Sequence, residues 1–440
     1  MIASSHFKGK RITVMGLGLL GRGVGDAKYL AAQGAELIVT DLKAREELAE
    51  SVKELEAFSN ITFVLGEHRL EDFQNRDLIL KAAGVPLDSP YIAEAKKNNI
   101  PVRMSADLFA EYAGIPVVGV TGTRGKSTTT HMIAAIAEAA GMKVLVGGNV
   151  RGVSTLALLQ QVAGDEIAVL ELDSWQLQGF GEAHLSPSLA VFTTFFPDHL
   201  NYYKNDLSAY LADKANIFFY QTEGDTLVLG GQCSTVVLEA FGDAIEADVV
   251  ITDDTKLPED WKLTVLGNHN RYDAACALAA ARALDIRDEV SRKALESFMG
   301  VDGRLQFVRE ANGVKIYNDT TATTPEATLA ALSALDPEGK KNIVLIMGGN
   351  DKGLDMNKLL HEIPQHTKRV IMLSGTGTSR VLEFLPEASV FDSLQEAVKE
   401  AAAAAGQGDN ILFSPAFTSF GMFKNEYDRG DKFNALVNAL

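Results

Sequence analysis

The sequence predicts an α/β protein made of several parallel-sheet domains, and three observations carry that prediction. Short β-branched or aliphatic runs alternate with helical stretches from end to end, the pattern of parallel strands covered by helices on both faces. Glycine clusters sit at two strand-to-helix junctions, at 16–21 and at 119–125. The chain has 440 residues, enough for about three domains at roughly 150 residues each.

In the first domain, 12–15, 36–40, 61–65 and 77–80 read as strands, with 24–33, 45–58 and 91–98 as helices between them. The second opens with a strand at 116–120. It continues with a helix at 127–140, strands at 144–146, 167–172 and 189–194, and helices at 207–220 and 268–284. The third runs through a strand at 314–317, a helix at 325–335, strands at 342–347 and 369–373, a helix at 394–405 and a strand at 410–413. The domain limits are set at 1–104, 105–300 and 301–440, the second break marked by Gly300 and Gly303 after a helix ending near Phe298. The alanine run 401–405 reads as a helix end, because alanine is a good helix former.

Composition excludes several function classes. Hydrophobic residues at 46% and charged residues at 22% are ordinary for a globular chain. Lys+Arg 41 against Asp+Glu 58 leaves a net charge of −17. So acidic a chain is a poor general nucleic-acid binder, and an anionic substrate must be held by local donors. Two cysteines, Cys233 and Cys276, cannot build a disulfide framework or a Cys-rich zinc site. A reducing cytoplasm is the expected compartment. No apolar run approaches the ~20 residues needed to span a bilayer, so no membrane partner is expected. Lys8, Lys10 and Arg11 before the apolar run 12–15 imitate a signal peptide, but glycines at 16, 18 and 21 break it. It reads as strand and turn.

Gly16-Leu17-Gly18-Leu19-Leu20-Gly21 follows a strand and precedes a helix, and Asp41 lies 20 residues beyond Gly21, at the end of the next strand. That is a dinucleotide fingerprint with an acid placed for a ribose hydroxyl. Alone it favours an NAD-dependent oxidoreductase. The alternatives are glycines that merely permit a tight turn, and a nucleotide-sugar site whose diphosphate meets the helix N-terminus. The rest of the chain has to decide, because a fold does not set a function.

Gly119-Val120-Thr121-Gly122-Thr123-Arg124-Gly125-Lys126-Ser127-Thr128 follows the strand at 116–120 and opens the next helix. Valine 120 stands where the general phosphate-loop pattern has glycine, but the local Thr-Gly-x-x-Gly-Lys-Ser form is kept. Backbone amides of such a loop cradle phosphates, the lysine reaches the terminal phosphates and the hydroxyl binds Mg²⁺. With this loop present the first cluster need not bind a nicotinamide. Two nucleotide sites on successive domains suggest ATP joined to a nucleotide-bearing substrate.

Four more residues belong to the middle domain. Glu171 ends a strand, where ligands of an open parallel sheet gather, and is placed to ligate Mg²⁺ or simply to face solvent. His199 leaves the strand at 189–194 and is either a loop residue or a second metal ligand, an unusual partner for Mg²⁺. Tyr210 and Lys214 are four apart on one helix face. From spacing alone Lys214 reads as a surface lysine.

Taken together these residues resemble the Mur ligase family, in order and along the whole chain. The resemblance rests on residues 121–128, Gly147-Gly148-Asn149, Glu171 to Leu177, Asp198-His199 with Lys214, and Gly267 to Ala274. It continues with Arg304, Asn318-Asp319, residues 348–352, Ser414-Pro415-Ala416 with Ser419, Phe423-Lys424-Asn425 and Arg429-Gly430. It implies a Rossmann-like N-terminal domain, a central P-loop ATPase domain and a Rossmann-like C-terminal domain that closes over ATP. It further implies an ATP-dependent ligase adding D-glutamate to UDP-N-acetylmuramoyl-L-alanine through an acyl phosphate, in peptidoglycan synthesis. A Mur-type ligase for another amino acid is the nearest alternative.

The same resemblance assigns roles. Lys126, Lys214 and His199 are implied as catalytic. Gly122, Thr123, Gly125, Lys126, Ser127, Thr128, Asn270, Arg304 and Asp319 are implied to bind ATP. Leu19, Leu20, Asp41 and Lys43 are implied on the nucleotide substrate, Thr323, Lys352 and Ser419 on the amino acid, and Asn149 and Tyr210 on substrate. Ser127 and Glu171 would hold one Mg²⁺, His199 and Lys214 a second, with Lys214 carboxylated so that it offers oxygen rather than ammonium. A monomer is expected. The chain departs from the family at Arg124 for asparagine, Asp273 for asparagine, Thr321 for lysine, Glu426 for an aromatic residue, and Lys81-Ala82-Ala83-Gly84 for a Ser-Pro-Gly turn.

Overall fold

The structure, a computed structural model, describes residues 6–18, 21–419 and 421–440. Three sheets follow one another along the chain. The first carries β1 (Arg11–Met15), β2 (Glu36–Asp41), β3 (Ile61–Leu65), β4 (Leu78–Lys81) and β5 (Val102–Arg103), in the order β3-β2-β1-β4-β5. Its strands are parallel throughout.

The second sheet carries β6 (Val117–Thr121), β7 (Lys143–Gly148), β8 (Glu166–Glu171), β9 (Leu189–Phe192), β10 (Thr226–Gly230) and β11 (Asp248–Thr252), also all parallel. Its order is β11-β10-β9-β6-β8-β7, which places β6 between β9 and β8. The third carries β12 (Gln306–Ala311), β13 (Val314–Asn318), β14 (Ile343–Gly348), β15 (Thr367–Leu373), β16 (Ser389–Phe391) and β17 (Asn410–Phe413), in the order β12-β13-β17-β14-β15-β16. Here β12 pairs antiparallel with β13, an edge that strand–helix alternation does not predict.

Inside the sheets the apolar runs that mark the strands are buried on both faces, as parallel sheets require, while the edge strand β11 leaves Val249, Val250 and Ile251 exposed. β6, β8, β9 and β14 are buried along their whole length. Two helices are shorter than their periodicity predicts. The stretch at 45–58 is helical only over Ala49–Leu55, because Glu47 Oε2 takes the Ala44 amide into a turn at 3.0 Å. The stretch at 207–220 is helical only over Leu207–Ala215. There Ser186 Oγ donates to the Asn216 carbonyl and accepts the Tyr220 amide, which replaces helical bonds with side-chain bonds.

The chain packs as two compact units, Met1–Glu259 with Tyr272–Leu295, and Asp260–Arg271 with Glu296–Leu440. The first and second sheets share the first unit for a visible reason. The helix Ser105–Tyr112, which follows β5, places Ala106, Leu108 and Phe109 in one apolar cluster with Val14 and Leu30 on one side and Leu170, Leu177 and Phe180 on the other. A polar tie runs alongside it. Asp26 of the helix Arg22–Ala32 accepts Ser105 Oγ at 2.7 Å and Ser154 Oγ at 2.6 Å. In the second unit, separate apolar clusters cover the two faces of the third sheet.

Candidate active site

The phosphate loop leaves the C-terminal end of β6 and enters the helix Lys126–Ala139. Gly125 caps that helix at φ 87°, and a Cβ on it would lie 2.3 Å from Asp273 Oδ1. A Cβ on Gly122, at φ 144°, would lie 2.0 Å from Thr193 Oγ1. Glycine is therefore required twice, for conformation and for space. Lys126 curls back over the loop, its Nζ donating to the carbonyls of Gly122 at 3.0 Å and Thr123 at 3.2 Å.

The loop is braced by the chain that follows β9. The Thr123 amide donates to the Thr194 carbonyl at 2.7 Å, the Arg124 amide to Thr194 Oγ1 at 2.9 Å, and Thr193 Oγ1 to the Arg124 carbonyl at 2.6 Å. The Arg124 side chain pairs with Asp198 at 3.0 Å. Sequence reasoning names no role for Thr193 and Thr194. Two adjacent threonines ending a strand beside a phosphate loop are the only available signal.

Lys214 contradicts the reading that spacing suggests. It is 1% exposed. The helix Leu207–Ala215 turns this face inward, and Lys214 Nζ donates to the Gly122 carbonyl at 2.8 Å and Thr121 Oγ1 at 3.4 Å. The ammonium lies 5.0 Å from the centre of the Tyr210 ring. Burial, reinforced by the Lys126 charge, holds its pKa well below the ordinary lysine range, with Asp173, Asp198 and Asp213 pulling weakly the other way. Tyr210 is also buried, its hydroxyl 3.3 Å from Thr123 Oγ1.

His199 sits at φ 53°, its ring centre 4.7 Å from that of Trp175 and 6.0 Å from that of Tyr210. Burial lowers its pKa below the usual imidazole value, Lys214 and Lys126 lower it further, and Asp198 opposes them. These effects together favour the neutral imidazole. Glu171 ends β8 in register with Val120 of β6 and is 3% exposed. Its carbonyl accepts the Asn149 amide at 2.7 Å, and its Oε1 accepts Asn149 Nδ2 at 3.3 Å.

These groups fit a hard cation unevenly. Among the described residues no cluster of three or more histidine, cysteine or acidic side chains is placed to hold a metal. Ser127, buried in the first helical turn, and Glu171 on the neighbouring strand offer oxygen donors that suit Mg²⁺. His199 and Lys214 suit it only if Lys214 carries a carboxylate, since an ammonium repels a cation. The depressed pKa favours the free amine that such a modification needs.

The first glycine turn lies in the same unit. Gly16, Gly18 and Gly21 all have positive φ. Asp41 does not point a free carboxylate outward. Its Oδ2 accepts the Gly18 amide at 3.0 Å and its Oδ1 the Lys43 amide at 2.9 Å, so it splints the turn to β2. Leu19 and Leu20 lie outside the described residues. Arg22 follows the turn and donates to Asn149 Oδ1 at 2.6 Å, which links this turn to the strand end carrying Glu171.

In the second unit Asp319 is buried, accepting the Leu305 amide at 2.9 Å and Ser414 Oγ at 2.7 Å. Burial pushes its pKa up to about 7. Asn270 Nδ2 donates to the Leu266 carbonyl, and Arg304 is exposed. Lys352 Nζ meets Thr323 Oγ1 at 3.0 Å, which brings two of the expected amino-acid contacts together. Ser419 lines a separate cavity of about 330 Å³ with Asn350 and Arg429. Thr321 Oγ1 donates to the Gly303 carbonyl.

Comparison with known proteins converges with this geometry. Three family models match in order: a Mur ligase MurD-like N-terminal domain at residues 10–104, a Mur ligase middle domain at 120–281, and a Mur ligase glutamate ligase domain at 303–417. The UDP-N-acetylmuramoylalanine–D-glutamate ligase of Roseiflexus sp. is 36% identical, covering 98% of this chain and 99% of the relative. The enzyme of that name from Borreliella burgdorferi is 33% identical, covering 99% of each. The solved UDP-N-acetylmuramate-alanine ligase of Thermotoga maritima superposes with a TM-score of 0.65 at 19% identity, over 98% of this chain and 99% of that one. That likeness speaks for the fold alone. The full-length identity and the three consecutive domain matches show that the chain belongs to the Mur ligase family.

Proposed function

We infer that the protein is an ATP-dependent amide-forming ligase that adds D-glutamate to UDP-N-acetylmuramoyl-L-alanine in peptidoglycan synthesis. The observation that carries this reading is the match, over nearly the whole of both chains, to relatives of that name. The phosphate loop over a buried lysine supports the ATP chemistry. The NAD reading is not favoured, because the full-length relatives are named as ligases.

The substrate carboxylate attacks the terminal phosphorus of ATP, ADP leaves, and an acyl phosphate remains. The amine of D-glutamate then attacks the acyl carbon, and phosphate leaves from the tetrahedral intermediate. Lys126 neutralises charge on the transferring phosphoryl group, while the loop amides orient it. Mg²⁺, when bound, supplies further charge neutralisation, with Ser127 and Glu171 as its holders and His199 with carboxylated Lys214 as a second set. In this reading Gly122, Thr123, Gly125 and Thr128 cradle ATP, and Asn270, Arg304 and Asp319 complete its binding. Asp41 and Lys43 serve the uridine-nucleotide substrate, Thr323, Lys352 and Ser419 the amino acid, and Asn149 and Tyr210 contact substrate. The domain limits proposed are 1–104, 105–300 and 301–440, in a cytoplasmic monomer.

A phosphate-release assay with UDP-N-acetylmuramoyl-L-alanine, ATP and a panel of D- and L-amino acids tests the reading. D-Glutamate should give the highest kcat/KM. A clear preference for L-glutamate or for a neutral or basic amino acid would reject the acceptor while leaving the ligase chemistry standing.

A further inference from the structure

Arg124 stands in the phosphate loop, and its side chain leaves the loop for the segment that carries His199. The guanidinium donates to Asp198 Oδ2 at 3.0 Å. The other oxygen of that carboxylate, Oδ1, accepts the His199 amide at 2.9 Å. One carboxylate thus joins the loop side chain to the His199 backbone. The loop end of this link is fixed as well, because the Arg124 carbonyl accepts Thr193 Oγ1 at 2.6 Å and Thr194 Oγ1 at 3.0 Å.

His199 needs such a hold. At φ 53° it occupies the left-handed region, which is uncommon for a residue with a Cβ. Its carbonyl accepts the Tyr202 amide at 2.9 Å and the Tyr203 amide at 3.0 Å, which ties it to the turn that follows. On the other side, Phe196 bonds Thr123 Oγ1 through its amide at 3.0 Å and its carbonyl at 3.2 Å. Arg124 carries that hold on to the residue before His199. Both side chains of the ion pair are partly exposed, and a pair in such a place contributes little to stability. What it controls is where His199 stands.

We propose that Arg124 is a positioning residue for the ligase reaction: through Asp198 it holds His199 against the phosphate loop, so that the donor set of His199 and carboxylated Lys214 is assembled before Mg²⁺ and ATP arrive. The proposal rests on the reading of His199 as a metal donor and adds the residue that places it. Groups that orient a metal ligand from behind commonly alter metal affinity about tenfold or more when removed. Arg124 acts through Asp198 and His199, not by contact with the phosphoryl group.

Trp175 and Trp261 are the two tryptophans of the chain, and the His199 ring lies against Trp175. An imidazole packed on an indole quenches its emission. Trp261→Phe therefore leaves a reporter of the His199 ring that needs neither Mg²⁺ nor ATP. In that background Arg124→Met should raise Trp175 emission. Asp198→Asn, which keeps an oxygen for the His199 amide, should raise it equally, and the double variant should go no further. Arg124→Lys should stay close to the unaltered level. In phosphate release, Arg124→Met should raise the half-saturating Mg²⁺ concentration about tenfold and leave the KM for the nucleotide substrate within about twofold. Its melting temperature should be nearly unchanged. If Trp261→Phe does not fold, as judged by circular dichroism, the emission lost on Trp175→Phe, with and without Arg124→Met, isolates the same signal. Unchanged emission or unchanged Mg²⁺ dependence in Arg124→Met, additive effects of the two single variants, or a loss that tracks a fall in melting temperature would overturn the role. If the unaltered protein releases no phosphate, the ligase reading fails and the metal role with it, and the emission comparison still shows whether Arg124 places His199.

Discussion

At the ends of β1 and β6 the chain makes the same local move. Gly21 (φ 80°, ψ −16°) and Gly125 (φ 87°, ψ −16°) each cap a helix whose first residue is a cation, Arg22 or Lys126. The surroundings differ. Around the first turn Asp41 clamps the backbone from β2 and Arg22 reaches out to Asn149. Around the second, two threonines grip the loop, Lys126 folds onto its carbonyls and Lys214 lies buried beneath. A glycine turn opening a helix makes a place where an anion is welcome. Which anion, and whether a bond is broken there, depends on side chains delivered by other strands and helices.

Removing the cations should separate the two turns most sharply. Lys126→Ala is expected to lower turnover by roughly two orders of magnitude or more, the scale of losing one key electrostatic group. Near-normal phosphate release would sink the proposed mechanism. Lys214→Ala is expected to be nearly inactive, with partial rescue by short carboxylic acids. Intact mass of the unaltered protein under CO₂ should show the added carboxylate, and full activity of Lys214→Ala in CO₂-depleted buffer would remove its role.

The capping glycines give the next largest contrast. Gly21→Ala meets nothing nearer than the Gly152 Cα at 3.9 Å, so it should cost only the left-handed strain, about 1–2 kcal/mol. Gly125→Ala adds to that strain a contact 2.3 Å from Asp273 Oδ1 and should also abolish ATP-dependent phosphate release. Thermal melts and nucleotide titration of both variants check this. Equal losses at the two positions would show that the turns are not distinguished by their neighbours.

An effect on stability alone, with no change in turnover at either turn, concerns the tie between the first two sheets. Burial raises the pKa of Asp26 to about 6 from 3.8. Between those values the folded chain holds a proton that the unfolded chain has lost, so stability falls as pH rises from about 4 to about 6. The shift corresponds to roughly 3 kcal/mol. Asp26→Asn should lack this slope, and its stability relative to the unaltered protein should improve across that window. Urea unfolding at several pH values reads it, and parallel pH profiles would contradict it.

Much of the fold was legible because parallel strands buried on both faces leave continuous apolar runs, as in β6, β8 and β14. The edge strand β12 was not, since its burial is mixed and it pairs antiparallel. The phosphate loop was legible because its glycines answer to local backbone geometry, and the place of Glu171 at a strand end because the apolar run of β8 stops there. The other roles came from the resemblance, whose motifs are themselves sequence.

By itself, then, the sequence determined the α/β class, the succession of strand–turn–helix units and the two glycine caps, all of which depend on residues near one another in the chain. Only the tertiary structure decided that Lys214 is buried, that Thr193 and Thr194 brace the loop, that Asp41 serves the backbone and that Arg124 meets Asp198 beside His199. Each of those depends on partners from distant segments. Spacing along one helix or strand says which residues share a face, while desolvation and charge pairing are set by what that face meets.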